Sequence, residues 1–178
     1  MHLSNYSKRN ADEIRDLFIL VFTDSEGQSE GQLIGNLVGD IMNETDEKDL
    51  YGFLSIDGKR IVGSIFFSRV SFESGTNVFI LSPVAVDTDR QGEGIGQKLI
   101  TFGLKQLANA GVEVALTYGD PKFYSRVGFN SISEKLVTPP MKLSQPEGWL
   151  GQSLIGNSIE GIEGSSFCVK ALAKAEYW

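Results

Sequence analysis

Apolar residues recur along the chain with two different periods, and the change from one to the other divides the sequence. Ile14, Leu17, Phe18 and Val21 repeat at helical spacing behind Asn10 and Glu13, a pair placed like a capping box, which predicts an amphipathic first helix. A polar, glycine-bearing link from Thr23 to Gly31 follows. Leu33, Ile34, Leu37, Val38 and Ile41 then form a second stripe of period near 3.6, a second helix that Gly35 and Gly39 weaken. From Leu50 to Ile56 and from Ile61 to Val70 the pattern turns β-like. The Asp57-Gly58 pair between these runs tolerates the positive φ of a tight hairpin turn.

Val78 to Val86 is apolar nearly throughout, as in a strand covered on both faces, but Pro83 within it cannot donate a ladder hydrogen bond. A bulge or splay is expected there. Ile95, Leu99, Phe102 and Leu107 mark a helix from Gly94 to Ala110 that Gly111 ends, and Val112 to Tyr118 supplies another buried strand. Asp120 and Pro121 cap and open a short helix through Arg126. Beyond Pro139-Pro140 turn formers dominate, with a final strand expected from Phe167 to Leu172.

Composition narrows the functional classes. The chain has 178 residues, within the size of one domain, with 41% hydrophobic and 22% charged residues, a globular balance. Sixteen basic residues against 23 acidic ones give a net charge of -7, which argues against nucleic-acid binding, because that rests on clustered Lys and Arg. Cys168 is the single cysteine, so neither an intrachain disulfide nor a Cys-x-x-Cys metal motif exists. No apolar window approaches the roughly 18 residues of a membrane span, and Met1 to Asn10 does not read as a signal peptide. A cytoplasmic location, no membrane partner and no metal are therefore expected. The one histidine, His2, lies near the N-terminus, where no Ser-His-Asp or Cys-His arrangement assembles around it.

One segment carries chemistry. A buried strand ends at Val86, Arg90 and Gln91 follow, glycines recur at 92, 94 and 96, and a helix starts within the run. Glycines let main-chain amides approach a ligand, and a helix N-terminus adds positive potential worth about 0.3 to 2 kcal/mol per anionic group. The run therefore predicts an anion cradle suited to a pyrophosphate. The Rossmann fingerprint fails because no glycine stands three residues after Gly94, and the Walker pattern fails because Gln97-Lys98-Leu99 lacks both the adjacent glycine and the hydroxyl.

Gln91-Gly92-Glu93-Gly94-Ile95-Gly96 resembles the Gln/Arg-x-x-Gly-x-Gly/Ala signature of the GNAT acyltransferase superfamily. Gly119-Asp120-Pro121-Lys122-Phe123-Tyr124-Ser125-Arg126-Val127-Gly128-Phe129 is similar to the later GNAT segment in which a tyrosine stands four residues before Gly-Phe. Its form is that of the bacterial YhbS-like branch, with Asp120 where many members carry asparagine. The likeness covers Ala11 to Ser131 in element order, and the part from about residue 139 reads as a C-terminal extension.

The resemblance implies a single α/β (α+β) domain with a mostly antiparallel mixed sheet, flanking helices and splayed central strands. It further implies acetyl-CoA as cosubstrate. Val84, Ala85 and Val86 would hold its pantetheine arm, Gln91, Gly92, Glu93, Gly94, Ile95 and Gly96 its pyrophosphate, and Tyr124 would face the departing thiolate. The implied reaction is N-acetyl transfer to a primary amine on a small molecule or protein, by direct attack in a ternary complex, and a homodimer is a candidate assembly. Three alternatives stay open. Tyr124 also reads as an aromatic of the short helix's apolar side. Asp24, Glu26 and Glu30 are undistinguished candidates for the general base. The whole chain also fits a non-catalytic acyl-CoA-binding or regulatory module.

Overall fold

The computed structural model describes residues 1–178. In chain order the elements are β1 (His2–Asn5), α1 (Ala11–Glu26), α2 (Gln28–Glu44), β2 (Leu50–Asp57), β3 (Arg60–Phe72), β4 (Val78–Val86), α3 (Ile95–Asn109), β5 (Val114–Tyr118), α4 (Pro121–Tyr124), β6 (Asn130–Ser131), β7 (Trp149–Ser153) and β8 (Ser166–Cys168). The strands hydrogen-bond in the order β1-β2-β3-β4-β5-β7-β6, with β8 on β3. Four pairs, β1/β2, β3/β8, β5/β7 and β6/β7, are antiparallel, whereas β4/β5 is parallel. This is the mixed, mostly antiparallel sheet with flanking helices that the sequence implied. The chain forms two compact units, Met1–Phe66 with Pro83–Gly103 and Phe67–Ser82 with Leu104–Trp178. Strands β3 and β4 and helix α3 each run through both.

In the first unit α1 and α2 bury Ile14, Phe18, Val38 and Ile41, and Phe18 tilts against Phe66 of β3 with ring centroids 6.3 Å apart. The expected polar link from Thr23 to Gly31 shrinks to Gly27 alone, at φ 99°. Thr23 to Glu26 continue the first helix. Gly31 and Gly35 are accommodated because α2 crosses α1 closely, so that a Cβ at Gly31 would collide with Thr23 and one at Gly35 with Ile19. Four polar or half-buried residues, His2–Asn5, form β1 against β2, although their sequence shows no strand period. The β2–β3 turn centres on Gly58-Lys59 rather than Asp57-Gly58. Gly58 alone takes positive φ, 61°, the pattern of a type II′ hairpin.

The second unit is built around Phe67, Phe79, Leu116, Phe129 and Trp149, all buried. Parallel pairing of β4 with β5 runs from Val78↔Val114 to Leu81↔Thr117 and ends there, two residues before Pro83. The region beyond Pro140, read as turns, supplies β7, which pairs along the whole of β5 from Val114↔Ser153 to Tyr118↔Trp149. Trp149 anchors it, with its ring wholly buried and its Nε1 donating to the Val137 carbonyl at 2.9 Å. The final strand is shorter than expected. It ends at Cys168, and the chain then makes a 3₁₀ turn over Lys170–Leu172. That turn buries Leu172 and brings Trp178 Nε1 to the Leu172 carbonyl at 2.8 Å.

Candidate functional site

The glycine run lies in the first unit, between β4 and α3. A short 3₁₀ turn over Thr88–Arg90 follows β4, capped by Asp87, whose Oδ1 accepts from the Asp89 amide at 3.1 Å. The chain then passes through Gly92 at φ 83° and Gly94 at φ 76°, conformations that side-chain-bearing residues rarely adopt. A Cβ at either glycine would meet nothing within 4 Å. Backbone conformation, not packing, is therefore what requires glycine at these two positions. Lys98 is the first α3 amide to reach back, to the Gly94 carbonyl at 3.1 Å, so Ile95, Gly96 and Gln97 are the first-turn amides left for an external acceptor. Ile95 and Gly96 are buried while Gln91, Gly92 and Glu93 are exposed. Gln91 turns back on β4, its Nε2 donating to the Val86 carbonyl at 3.1 Å.

Charged side chains fix the base of this loop. Arg90 Nη1 lies 2.8 Å from Asp57 Oδ2, and its Nε lies 3.0 Å from both carboxylate oxygens of Glu93. The hydrogen bond from Arg90 holds the Asp57 carboxyl below the usual carboxylate range. Arg60 Nη2 lies 2.6 Å from the buried carboxylate of Asp87. Arg90 thus pairs with Asp57 and Glu93, and not with its sequence neighbours Asp87 and Asp89. Thr88 Oγ1 donates to Asp24 Oδ2 at 2.7 Å, so that base candidate is tied to the turn before the loop, while Glu26 is exposed and Glu30 half-buried. Sequence reasoning did not find Asp57 or Arg60, because nothing in a hairpin turn signals a partner some 30 residues away.

Tyr124 lies in the second unit, at the end of α4. Asp120 caps that helix, its Oδ1 accepting from the Lys122 amide at 2.9 Å, with Pro121 in the first turn as expected. The Tyr124 ring meets Phe123 and Phe129 edge-on, with centroids 5.0 and 5.9 Å apart, and presses against Gly119, where a Cβ would come within 2.8 Å of it. Gly128, at φ 93°, turns the chain so that the Phe129 amide returns to the Tyr124 carbonyl at 3.2 Å. Burial raises the phenol's pKa, and the Asp120 charge adds to this, while a hydrogen bond with Thr117 opposes it. Thr117 is itself fixed, donating to the Leu81 carbonyl at 2.9 Å. The phenol therefore stays protonated through neutral pH. Packing and a polar hydroxyl environment coexist at this residue.

Residues 47–131 match the family model described as an acetyltransferase (GNAT) domain, a span that contains both the glycine run and Tyr124. The chain is 33% identical over 85 residues to the uncharacterized N-acetyltransferase YhbS of Escherichia coli strain K12, a match covering 44% of this chain and 51% of YhbS. In sequence, then, the chain spans about half the length of the curated relatives it matches. The fold is similar to a crystal structure of YhbS from Escherichia coli in complex with CoA, with a TM-score of 0.83 over 97% of this chain and 92% of that one at 22% identity. It is also similar to a GNAT-family acetyltransferase from Brucella melitensis in complex with acetyl-CoA, with a TM-score of 0.74 over 96% and 97% of the chains at 25% identity. No helix is long and apolar enough to cross a membrane, and no group of three or more His, Cys, Asp or Glu side chains comes together to hold a metal. With both motifs inside the matched span and the fold shared with YhbS over 97% of the chain, residues 47–131 belong to the GNAT acetyltransferase family and are related to its YhbS-like branch.

Proposed function

We propose that the protein transfers an acetyl group from acetyl-CoA to a primary amine by direct attack in a ternary complex. The observation that carries this reading is the loop from Gln91 to Gly96. Two glycines at positive φ and the open first turn of α3 form an anion cradle in a matched GNAT domain. On this reading the amides of Gly92 to Gly96 bind the pyrophosphate. Main-chain groups of Val84, Ala85 and Val86 run along the pantetheine arm, and the end of β4/β5 pairing at Leu81↔Thr117 leaves those residues of β4 outside that ladder.

The amine nitrogen attacks the thioester carbonyl carbon, a β4 amide polarises the carbonyl oxygen, and the C–S bond then breaks. Tyr124 donates a hydrogen bond to the departing sulfur, and the proton lost by the amine passes to solvent or an exposed carboxylate. Acetyl is the acyl group proposed because the Brucella melitensis relative is described with acetyl-CoA.

Titration with CoA and acetyl-CoA, followed by thiol release against a panel of primary amines, tests the proposal. Saturable binding with amine-dependent thiol release above hydrolysis is the expected result. Binding without release on any amine would favour a non-catalytic acyl-CoA module, and absence of binding would remove the coenzyme from the reading altogether.

A further inference from the structure

The glycine run carries an internal contradiction. A cradle for a polyanion contains Glu93, a carboxylate between the two glycines of positive φ. An uncompensated negative charge a few ångströms from a pyrophosphate opposes binding by an amount that grows as solvent is excluded. Arg90 resolves this. Its Nε holds both oxygens of Glu93 at 3.0 Å and draws that carboxylate toward the base of the loop, while Nη1 holds Asp57 at 2.8 Å.

The same β2–β3 turn that provides Asp57 also provides Arg60, which pairs with Asp87 at 2.6 Å. Asp87 caps the turn entering the loop, and its carbonyl accepts from the Arg90 amide at 2.9 Å. One hairpin tip therefore braces both the entry to the loop, through Asp87, and its glycine run, through Arg90 and Glu93. Bracing of this kind lowers the ordering cost of binding.

We propose that Arg90 is a positioning residue of the coenzyme loop: it withdraws the Glu93 charge from the anion cradle and ties the loop to Asp57, and it does not contact the coenzyme phosphates. The inference rests on the coenzyme reading given above. Carboxylates already engage Nε and Nη1, so the guanidinium charge is balanced by Glu93 and Asp57 within the protein itself.

The test is the dissociation constant for CoA and for dephospho-CoA, measured on the wild type, Arg90→Ala, Arg90→Lys, Glu93→Gln and the double variant Arg90→Ala/Glu93→Gln, each first checked for a cooperative thermal transition. Arg90→Ala is expected to weaken both ligands alike by about tenfold, the scale of one freed charge near a phosphate. Glu93→Gln in the same chain should restore most of that loss, because the charge needing withdrawal is gone. Arg90→Lys should also weaken binding, since an ammonium cannot span Glu93 and Asp57 as the planar fork does. In turnover, KM for acetyl-CoA should rise with kcat little changed.

A double variant as weak as Arg90→Ala, an Arg90→Lys variant that binds like the wild type, or a loss that disappears with dephospho-CoA would overturn the inference in favour of direct phosphate contact. Unaltered binding by Arg90→Ala would overturn it outright. If the wild type itself binds neither ligand, the coenzyme reading fails first and takes the inference with it.

Discussion

A phenol beside a leaving thiolate, the place proposed for Tyr124, can act in two ways, and the surroundings of Tyr124 favour one. Burial is the main cause that lifts its pKa above the ordinary phenol value of about 10, whereas an alkyl thiol ionises near 8.5. Full proton transfer from Tyr124 to the sulfur is therefore uphill, and a hydrogen bond that strengthens as charge develops on sulfur is the more economical contribution. Such a bond to a charged acceptor is worth about 1.5 to 3 kcal/mol, so Tyr124→Phe should lower kcat on the order of 10- to 100-fold while leaving the CoA dissociation constant nearly unchanged. Steady-state kinetics beside equilibrium titration separates the two. The phenol must be protonated to donate, and its raised pKa puts any tyrosine-dependent fall in kcat at pH values above 10, so the profile should stay flat with respect to this group from neutrality to that point. A kcat unaffected by Tyr124→Phe would leave the residue with packing alone.

Among the elements, the segment joining β5 to α4 shows how a motif encodes geometry that its letters do not advertise. Asp120 and Pro121 were legible as cap and first turn, because capping depends on local chemistry. Gly119 was not, since its need arises from a ring five residues later. A Cβ there would approach the Tyr124 ring to 2.8 Å, closer than real contacts allow, so one of the two must move. Gly119→Ala should therefore displace the tyrosine with its hydroxyl still present, giving a kcat loss close to that of Tyr124→Phe, and the double variant should add little, as expected for changes acting on one group. A Gly119→Ala protein of wild-type kcat would show that the ring yields without consequence.

The same contrast runs through the other elements. Strand β4 was read to its ends because it is a continuous apolar run bounded by Asn77 and Asp87. The loop and α3 were legible because glycine spacing and a helical stripe coincide. Strand β1 was missed because an edge strand of His, Leu, Ser and Asn is held by β2 rather than by any pattern of its own. Strand β7 was missed because Gly151 and the polar Gln152 and Ser153 after it resemble a turn. Yet Gly151 is the residue whose missing side chain admits Ile132, Leu116 and Ile159, each within 3.2 Å of where a Cβ would stand. Ion pairs between a hairpin turn and a distant loop, such as Asp57 with Arg90, leave no periodic trace at all.

For the whole molecule, the titrating groups point one way at alkaline pH. Tyr6, Tyr124 and Cys168 all have pKa values raised chiefly by burial, and the Tyr6 hydroxyl is buried without a hydrogen-bond partner. A raised pKa in the folded state means that the unfolded chain loses its proton first. The folded protein then holds more protons than the unfolded one, and stability falls as pH rises. The contribution of each group is fully present below its unfolded pKa, about 8.5 for the thiol and about 10 for the phenols, and is lost as pH climbs through the raised folded values. Asp57 shifts the other way: its lowered pKa gives a contribution present above the ordinary carboxylate value of about 3.9 and lost on acidification below it. Denaturant midpoints measured from pH 7 to 11 should accordingly decline beyond about pH 8.5, first through Cys168 and then more steeply as the phenols enter. Cys168→Ser should remove the earlier part of the decline and Tyr124→Phe should flatten the later part. A midpoint that holds constant to pH 11, or a decline unaltered in both variants, would mean that these buried groups do not govern the alkaline limit.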